Sequence, residues 1–145
     1  MKITDALMVE HITLRKMFNQ VEQILPTLSR VEDVRSIAKM VESLLHEHGD
    51  VEEHMLLVTL DHSLEHVKQL QHMSQEHGEI DHRLTRACTA TDLCAGCKDL
   101  KAAMDFSRKH FDNEERKIFP VIQQQLTHNS LLALGEAWFL NQMGH

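Results

Sequence analysis

The chain has 145 residues, the usual length of one domain, and it is long enough to bury a hydrophobic core. Hydrophobic residues make up 42% of it and charged residues 26%, a balance that excludes a disordered or fibrous protein. The net charge of −7 gives no attraction to nucleic acid, no apolar run is long enough to cross a bilayer, and the N-terminus lacks a signal-peptide pattern. We therefore expect a cytoplasmic protein with no nucleic-acid or membrane partner, in which residues 1–145 form one domain.

Composition and periodicity both predict an all-α protein. Five Gly, two Pro and no Tyr leave little turn chemistry for the many short strands of a β-sandwich or β-barrel. Between residues 4 and 25, apolar side chains recur at steps of three and four, as on the buried face of a helix, and Pro26 ends this element. The same periodicity predicts three more long helices, with a short connection at residues 61–63 and a loop at residues 89–96.

The last part of the chain predicts a break and a shorter helix. Pro120 should kink or end the fourth helix, and Asn129 or Ser130 is a candidate cap for a fifth one. Long helices joined by short connections pack most simply as neighbours that run in opposite directions. We therefore expect an antiparallel up-and-down four-helix bundle with a short fifth C-terminal helix.

Six polar residues interrupt the apolar faces of the four predicted long helices. The first and third helices each carry one histidine, and the second and fourth each carry a His-x-x-x-Glu pair; the six are His11, His48, Glu52, His77, His110 and Glu114. At about 1.5 Å of rise per residue, His11 and His48 lie about 21 and 26 Å from the turn that joins their helices. His77 and His110 lie at similar heights on the other pair of helices, so all six residues can meet at one depth of the bundle.

A metal centre would compensate the cost of burying these side chains together. A buried histidine or carboxylate costs several kcal/mol unless it is paired, and six of them would cancel much of the stability of a domain, which is about 5 to 15 kcal/mol. Imidazole nitrogen and carboxylate oxygen suit iron, zinc or manganese. Because residues i and i+4 point the same way on a helix, the sequence predicts a two-metal site bridged by Glu52 and Glu114.

Other histidines show the same spacing on polar helix faces. His46 and His72 each have a carboxylate four residues later, but their helical neighbours are polar, so we expect both at the surface. His62 and His66 form a further pair, for which adventitious zinc binding and simple solvation are the alternatives.

Four segments resemble the hemerythrin-like, or HHE cation-binding, family over nearly the whole chain. They are EH at residues 10–11, HGDVEE at 48–53, EHGEI at 76–80 and HFDNEERKIFP at 110–120. The resemblance implies a four-helix bundle that holds two iron ions, bridged by oxo or hydroxo groups and by carboxylates, and that meets dioxygen, nitric oxide or peroxide. It also assigns the iron ligands as His11, His48, Glu52, His77, His110 and Glu114.

The chain departs at Met73 from the oxygen-carrying proteins that it resembles, which have a fifth histidine at this position. Six protein ligands leave more coordination positions open, which implies redox reactivity or sensing rather than simple oxygen carriage. Asp81, one turn after His77, is a candidate seventh ligand. Glu53 and Glu115 point further round their helices and are expected beside the site or at the surface, although a ligand role for Glu115 stays open.

Three cysteines, Cys88, Cys94 and Cys97, lie near the loop between the third and fourth helices. An odd number fits a reducing compartment, and the C-x-x-C spacing at a helix start favours the thiolate form. A regulatory disulfide of Cys94 with Cys88 or Cys97 and three free thiols are the alternatives.

These features predict iron chemistry on a small oxidant. The leading hypothesis is a non-heme di-iron protein that binds or reduces dioxygen, nitric oxide or peroxide. The alternatives are a non-catalytic iron store, iron donor, or redox or oxygen sensor, including a protein that repairs iron centres, and a plain helical adaptor with a degenerate site.

Overall fold

The computed structural model describes residues 1–59 and 64–144, and within these ranges the chain is α-helical with no strand. The α-helices are α1 (Ile3–Ile24), α2 (Val31–Thr59), α3 (Leu64–Cys88), α4 (Leu93–Asn113), α5 (Phe119–Gln125) and α6 (His128–Met143). Among them, none combines the length and the apolar character that crossing a bilayer requires. The all-α prediction is confirmed, and the expected connection at residues 61–63 lies outside the described residues.

Ion pairs between the long helices show that neighbouring helices run in opposite directions. As the residue number increases along one helix, the residue number of the ion-pair partner on the neighbouring helix decreases. The pairs are Arg15–Asp112 and Glu22–Arg108 between α1 and α4, His46–Asp81 and Glu53–His77 between α2 and α3, and Glu76–His110 and Arg86–Asp99 between α3 and α4. Helices α1 to α4 therefore form an antiparallel bundle.

Two apolar clusters fill the described part of the bundle, one on either side of a polar layer. The larger cluster extends toward the α1–α2 turn and includes Phe18, Val41, Leu84 and Leu100. The smaller cluster, at the other end, consists of Ile3, Leu7, Met73, Ile118, Phe119, Ile122 and Leu131. Each fully buried aliphatic or aromatic side chain contributes about 1.5–3 kcal/mol, so burial in these clusters offsets the cost of burying the polar layer.

The helical register changes between α4 and α5. A π-helical stretch, Glu114–Ile118, joins the two helices, and the N–H of Glu114 is shared between the carbonyl oxygens of His110 and Phe111. The N–H of Phe119 donates to the carbonyl oxygen of Glu114, and Pro120, which has no N–H, follows in the first turn of α5. The break expected at Pro120 therefore already begins at Glu114.

The loop between α3 and α4 is shorter than the expected residues 89–96. Helix α4 begins at Leu93, and the carboxylate of Asp92 caps it by accepting a hydrogen bond from the N–H of Ala95 at 2.9 Å. Cys94 and Cys97 therefore lie within the helix, where both are free thiols. Burial, followed by the neighbouring Cys94, raises the pKa of Cys97, which opposes the thiolate form expected there.

Helix α6 packs along α1. The hydroxyl of Thr127 caps α6 by accepting a hydrogen bond from the N–H of Ser130 at 3.1 Å, so the prediction of Asn129 or Ser130 as the cap is wrong. Gly135 lies against the N-terminal backbone, and a Cβ atom built at Gly135 would stand 1.8 Å from the carbonyl oxygen of Met1. The close approach of α6 to α1 thus requires glycine at this position.

Gly135→Ala should destabilise the protein, because the added Cβ would overlap backbone atoms rather than the end of a flexible side chain. Overpacking of this kind lowers the free energy of unfolding by about 1–3 kcal/mol. Gly78→Ala is the matched control: among the described residues, no atom outside its own stretch of helix lies within 4 Å of the position that its Cβ would take, so helix propensity should raise stability by about 0.5–1 kcal/mol. Urea unfolding followed by circular dichroism measures both, and equal stability of the two variants would contradict the docking of α6.

Candidate metal centre

The six polar residues that interrupt the apolar helix faces meet in one layer of the bundle. Within the described residues, their ligand-type atoms form two groups of four, and the atoms of each group lie within 4.8 Å of one another. The first group is His11, His48, Glu52 and Glu114, and the second group is Glu52, His77, His110 and Glu114. The two glutamates belong to both groups. The layer is buried except for His77, whose side chain is 15% exposed.

The histidine Nε2 atoms face the shared glutamates. His11 Nε2 lies 3.0 Å from His48 Nε2 and 3.0 Å from Glu52 Oε1, and His48 Nε2 also pairs with Glu52. In the second group, His110 Nε2 lies 3.2 Å from Glu114 Oε1. Nitrogen and carboxylate oxygen atoms therefore converge on the space between the histidine pairs.

Several polar atoms of this layer are buried without a hydrogen-bond partner in the part of the chain that the structure describes. They include Glu52 Oε2, both carboxylate oxygens of Glu114, His77 Nε2 and His110 Nε2. Each unsatisfied buried group costs about 1–3 kcal/mol, so several of them in one place indicate a site for a compensating ligand. A set of imidazole nitrogens and carboxylate oxygens is the donor set that a metal cation compensates.

A glutamate outside the layer faces the Nδ1 atom of each histidine. The four pairs are Glu115 Oε2 with His11 at 3.0 Å, Glu10 Oε1 with His48 at 2.6 Å, Glu53 Oε1 with His77 at 2.9 Å and Glu76 Oε1 with His110 at 3.2 Å. We call Glu10, Glu53, Glu76 and Glu115 the outer carboxylates. Because each ring turns its Nδ1 toward a carboxylate, its Nε2 remains directed at the centre, as in metal-binding histidines.

The pairing of outer carboxylates with histidines follows the sequence repeat, in which an E-H dipeptide precedes an H-x-x-x-E-E segment in each half of the chain. In each half of the chain, the glutamate of the E-H dipeptide faces the histidine of the next H-x-x-x-E-E segment, Glu10 with a hydrogen bond to His48 and Glu76 at 3.2 Å from His110 Nδ1. The last glutamate of that segment holds the dipeptide histidine of the other half. Sequence reasoning expected Glu53 and Glu115 beside the site but missed Glu10 and Glu76, although the repeated dipeptide was the signal. Adjacent helical residues point about 100° apart, so Glu10 and Glu76 face the next helix rather than their neighbouring histidine.

In the metal-free layer, the positive charges of protonated His48 and His110 balance the negative charges of the glutamates. Burial lowers the pKa of His48, but Glu52 and Glu10 outweigh burial and raise that pKa to about 10. Burial of His110 is likewise outweighed by its neighbouring glutamates, and its pKa also rises to about 10. Burial and the adjacent Glu52 raise the pKa of Glu114 well above its ordinary value, and a metal cation would compete with all these protons.

A cavity of about 270 Å³ opens onto the second group between α2, α3 and α4. His48, His77 and His110 contribute to its walls. Burial, followed by His110, lowers the pKa of His77, which favours the neutral ring on this side. A Cβ at Gly49 would stand 3.4 Å from His77 Nδ1, an ordinary van der Waals contact, so Gly49 lies directly beside the ring. Since a water molecule takes roughly 30 Å³ in the liquid, the cavity admits small molecules of a few atoms.

The remaining predicted residues lie away from the two groups. Asp81 Oδ2 is 3.9 Å from His46 Nδ1 at the rim of the cavity, and Asp81 belongs to neither group. His46 and His72 are exposed, as predicted, with 62% and 65% of their side chains accessible. His66 is half-buried on α3, and its predicted partner His62 lies outside the described residues.

Comparison with known proteins identifies the family of this chain. The sequence matches the family described as Hemerythrin HHE cation binding domain over residues 2–122, a range that includes all six residues of the layer. No curated protein and no solved structure matches the chain. The resemblance carried by the four sequence segments is thereby confirmed. The match, the antiparallel helices and the convergent histidines and glutamates show that the chain belongs to the hemerythrin HHE cation-binding family.

Proposed function

We propose that this protein holds two iron ions in its buried layer and uses them to bind or reduce a small oxidant: dioxygen, nitric oxide or peroxide. In this proposal His11 and His48 bind one ion, His77 and His110 bind the other, and Glu52 and Glu114 bridge the two. The observation that carries the proposal is that both glutamates belong to two separate groups of four ligand-type atoms. Carboxylates shared in this way are how a helix bundle holds two neighbouring cations.

The donor set supports iron. The layer offers imidazole nitrogens and carboxylate oxygens and no thiol, a combination that suits a non-heme iron centre. Bound iron would supply reversible electron transfer and open coordination positions for an oxidant. The chain supplies the rest: the outer carboxylates orient the histidine rings, and the two apolar clusters exclude bulk water from both sides of the layer.

Access differs between the two groups. The ring of His11 stacks on Phe111, with 4.1 Å between ring centroids, and on Phe119 at 5.4 Å, so apolar rings cover His11. Both histidines of the second group, His77 and His110, line the cavity, whereas from the first group His48 lines it. Met73, one turn before His77, is buried in the smaller cluster and provides no nitrogen ligand. We therefore propose that the oxidant reaches the ion of the second group.

An iron store, iron donor, or redox or oxygen sensor, including an iron-repair protein, would use the same six residues. Such a protein would not consume an oxidant repeatedly in the presence of a reductant, whereas the proposed centre would.

We also propose that residues 1–145 form one domain and that the protein acts in the cytoplasm, the compartment that three free thiols favour.

Anaerobic loading with ferrous iron should give about two ions per chain, as expected for a carboxylate-bridged bundle site. His77→Ala and His110→Ala should each reduce this to about one, because each removes a nitrogen from the second group only. Iron per chain is measured colorimetrically after gel filtration, with circular dichroism to verify the fold.

His46→Gln and His72→Gln are the matched controls, since both histidines are exposed on the same helices as ligands. Both control variants should retain the full iron content. Full iron content in the two alanine variants, or iron loss in the two glutamine variants, would show that the ligands are assigned wrongly.

Oxygen or peroxide should convert the reduced, iron-loaded protein to its oxidised optical spectrum, and removal of oxygen should not restore the reduced spectrum. The reason is the small number of protein ligands at the second group, which leaves that ion open to electron transfer. Met73→His places an imidazole one turn before His77 and should make part of the spectral change reversible. Met73→Leu keeps the apolar volume and should behave like the native protein.

Stopped-flow spectra with dioxygen, nitric oxide and peroxide added in turn measure these changes. If the native protein cycles reversibly between its reduced and oxygen-exposed spectra, it is an oxygen carrier and the proposed redox function is wrong.

A further inference from the structure

The C-terminal helix reaches the metal centre through one side chain. Trp138, the single tryptophan of the chain, donates its indole N–H to Glu10 Oε2 at 3.2 Å. The other carboxylate oxygen of Glu10 lies 2.6 Å from His48 Nδ1. A continuous path of hydrogen bonds therefore runs from α6 to the ring whose Nε2 faces the first group.

This contact comes from outside the part of the chain that the family match covers. The match ends at residue 122, whereas α6 spans His128–Met143 and packs along α1, the helix that carries Glu10. Trp138 is half-buried, and Glu10 is 21% exposed, so water competes for the carboxylate when the indole is removed. The hydrogen bond from Trp138 on α6 therefore stabilises the orientation of the Glu10 carboxylate.

The other outer carboxylate of the first group is anchored in an analogous way. Glu115, which faces His11, accepts a hydrogen bond from Arg15 Nη2 at 2.6 Å, and the same nitrogen lies 2.8 Å from Asp112. A carboxylate that is held by a donor as well as by the histidine has one orientation and therefore fixes the ring. Both histidines of the first group are oriented in this manner, one through α1 and one through α6.

We propose that Trp138 is a positioning residue for the metal centre: by fixing Glu10, it directs His48 Nε2 at the first group, so that the docking of α6 sets the affinity of the ion bound there. The inference rests on the proposed function only in requiring that the first group binds a metal. Loss of partners that orient metal-binding histidines typically lowers metal affinity by about 10–100-fold.

A double-mutant cycle with ferrous iron under anaerobic conditions tests the proposal. Trp138→Phe keeps an aromatic ring and removes the N–H, and it should weaken one of the two binding steps by about 10-fold while leaving the other unchanged. Glu10→Gln should weaken the same step. Because Trp138 acts through Glu10, the double variant should bind iron about as well as Glu10→Gln alone. Competition with a chelator gives the affinities.

Two controls separate positioning from a general effect of α6. Phe139→Leu changes an exposed neighbour on the same helix and should leave both binding steps unchanged. Arg15→Gln releases Glu115 instead of Glu10, so it should weaken iron binding without altering the fluorescence of Trp138. In the metal-free protein, Glu10→Gln should shift the emission maximum of Trp138, and this readout requires neither iron nor a folded Trp138 variant.

Each outcome decides the proposal. A native protein that binds no iron overturns both the proposed function and this inference. Two bound ions together with an unchanged affinity of Trp138→Phe overturn the inference alone. The same holds if Trp138→Phe weakens binding by an equal factor with and without Glu10→Gln, or if Glu10→Gln leaves the Trp138 emission unchanged.

Discussion

Six histidine and glutamate side chains share one buried layer, and the packing around them follows from the need to satisfy their polar atoms. Apolar clusters on both sides keep water away, so the protein itself must supply the partners. The outer carboxylates face every Nδ1 atom, and the remaining nitrogen and carboxylate atoms converge where a cation can bind. The same layer that lowers the stability of the metal-free chain therefore provides the binding energy for a metal.

The two halves of the layer have the same donors but different surroundings. Rings of Phe111 and Phe119 enclose His11, and the outer carboxylates of the first group are anchored by Arg15 and Trp138. Both histidines of the second group line the cavity, which His48 also lines, and the side chain of His77 is 15% exposed. In the proposed function, the first group, with its anchored carboxylates, would hold one ion firmly, and the second group, with both histidines at the cavity, would expose the other ion to a small molecule.

The chain repeats the same pattern in both halves, yet the halves are not equivalent in structure. Helix α2 continues in regular α-helical register beyond Glu52, whereas α4 changes to a π-helical stretch that begins at Glu114. Such stretches rotate the residues that follow them, and they are common at functional sites. The stretch ends directly before α5, where Pro120, which has no N–H to donate, lies in the first turn.

The sequence by itself determined the helices, the six residues of the layer and their common height, because the period and rise of an α-helix specify which side chains share a face and a depth. It also placed His46 and His72 at the surface from their polar neighbours. Only the tertiary structure decided that Glu10 holds His48, that Trp138 holds Glu10, and that a cavity adjoins three of the four histidines. These contacts depend on the rotation of each helix about its own axis and on side-chain rotamers across helix boundaries, which the periodicity of a single helix does not specify.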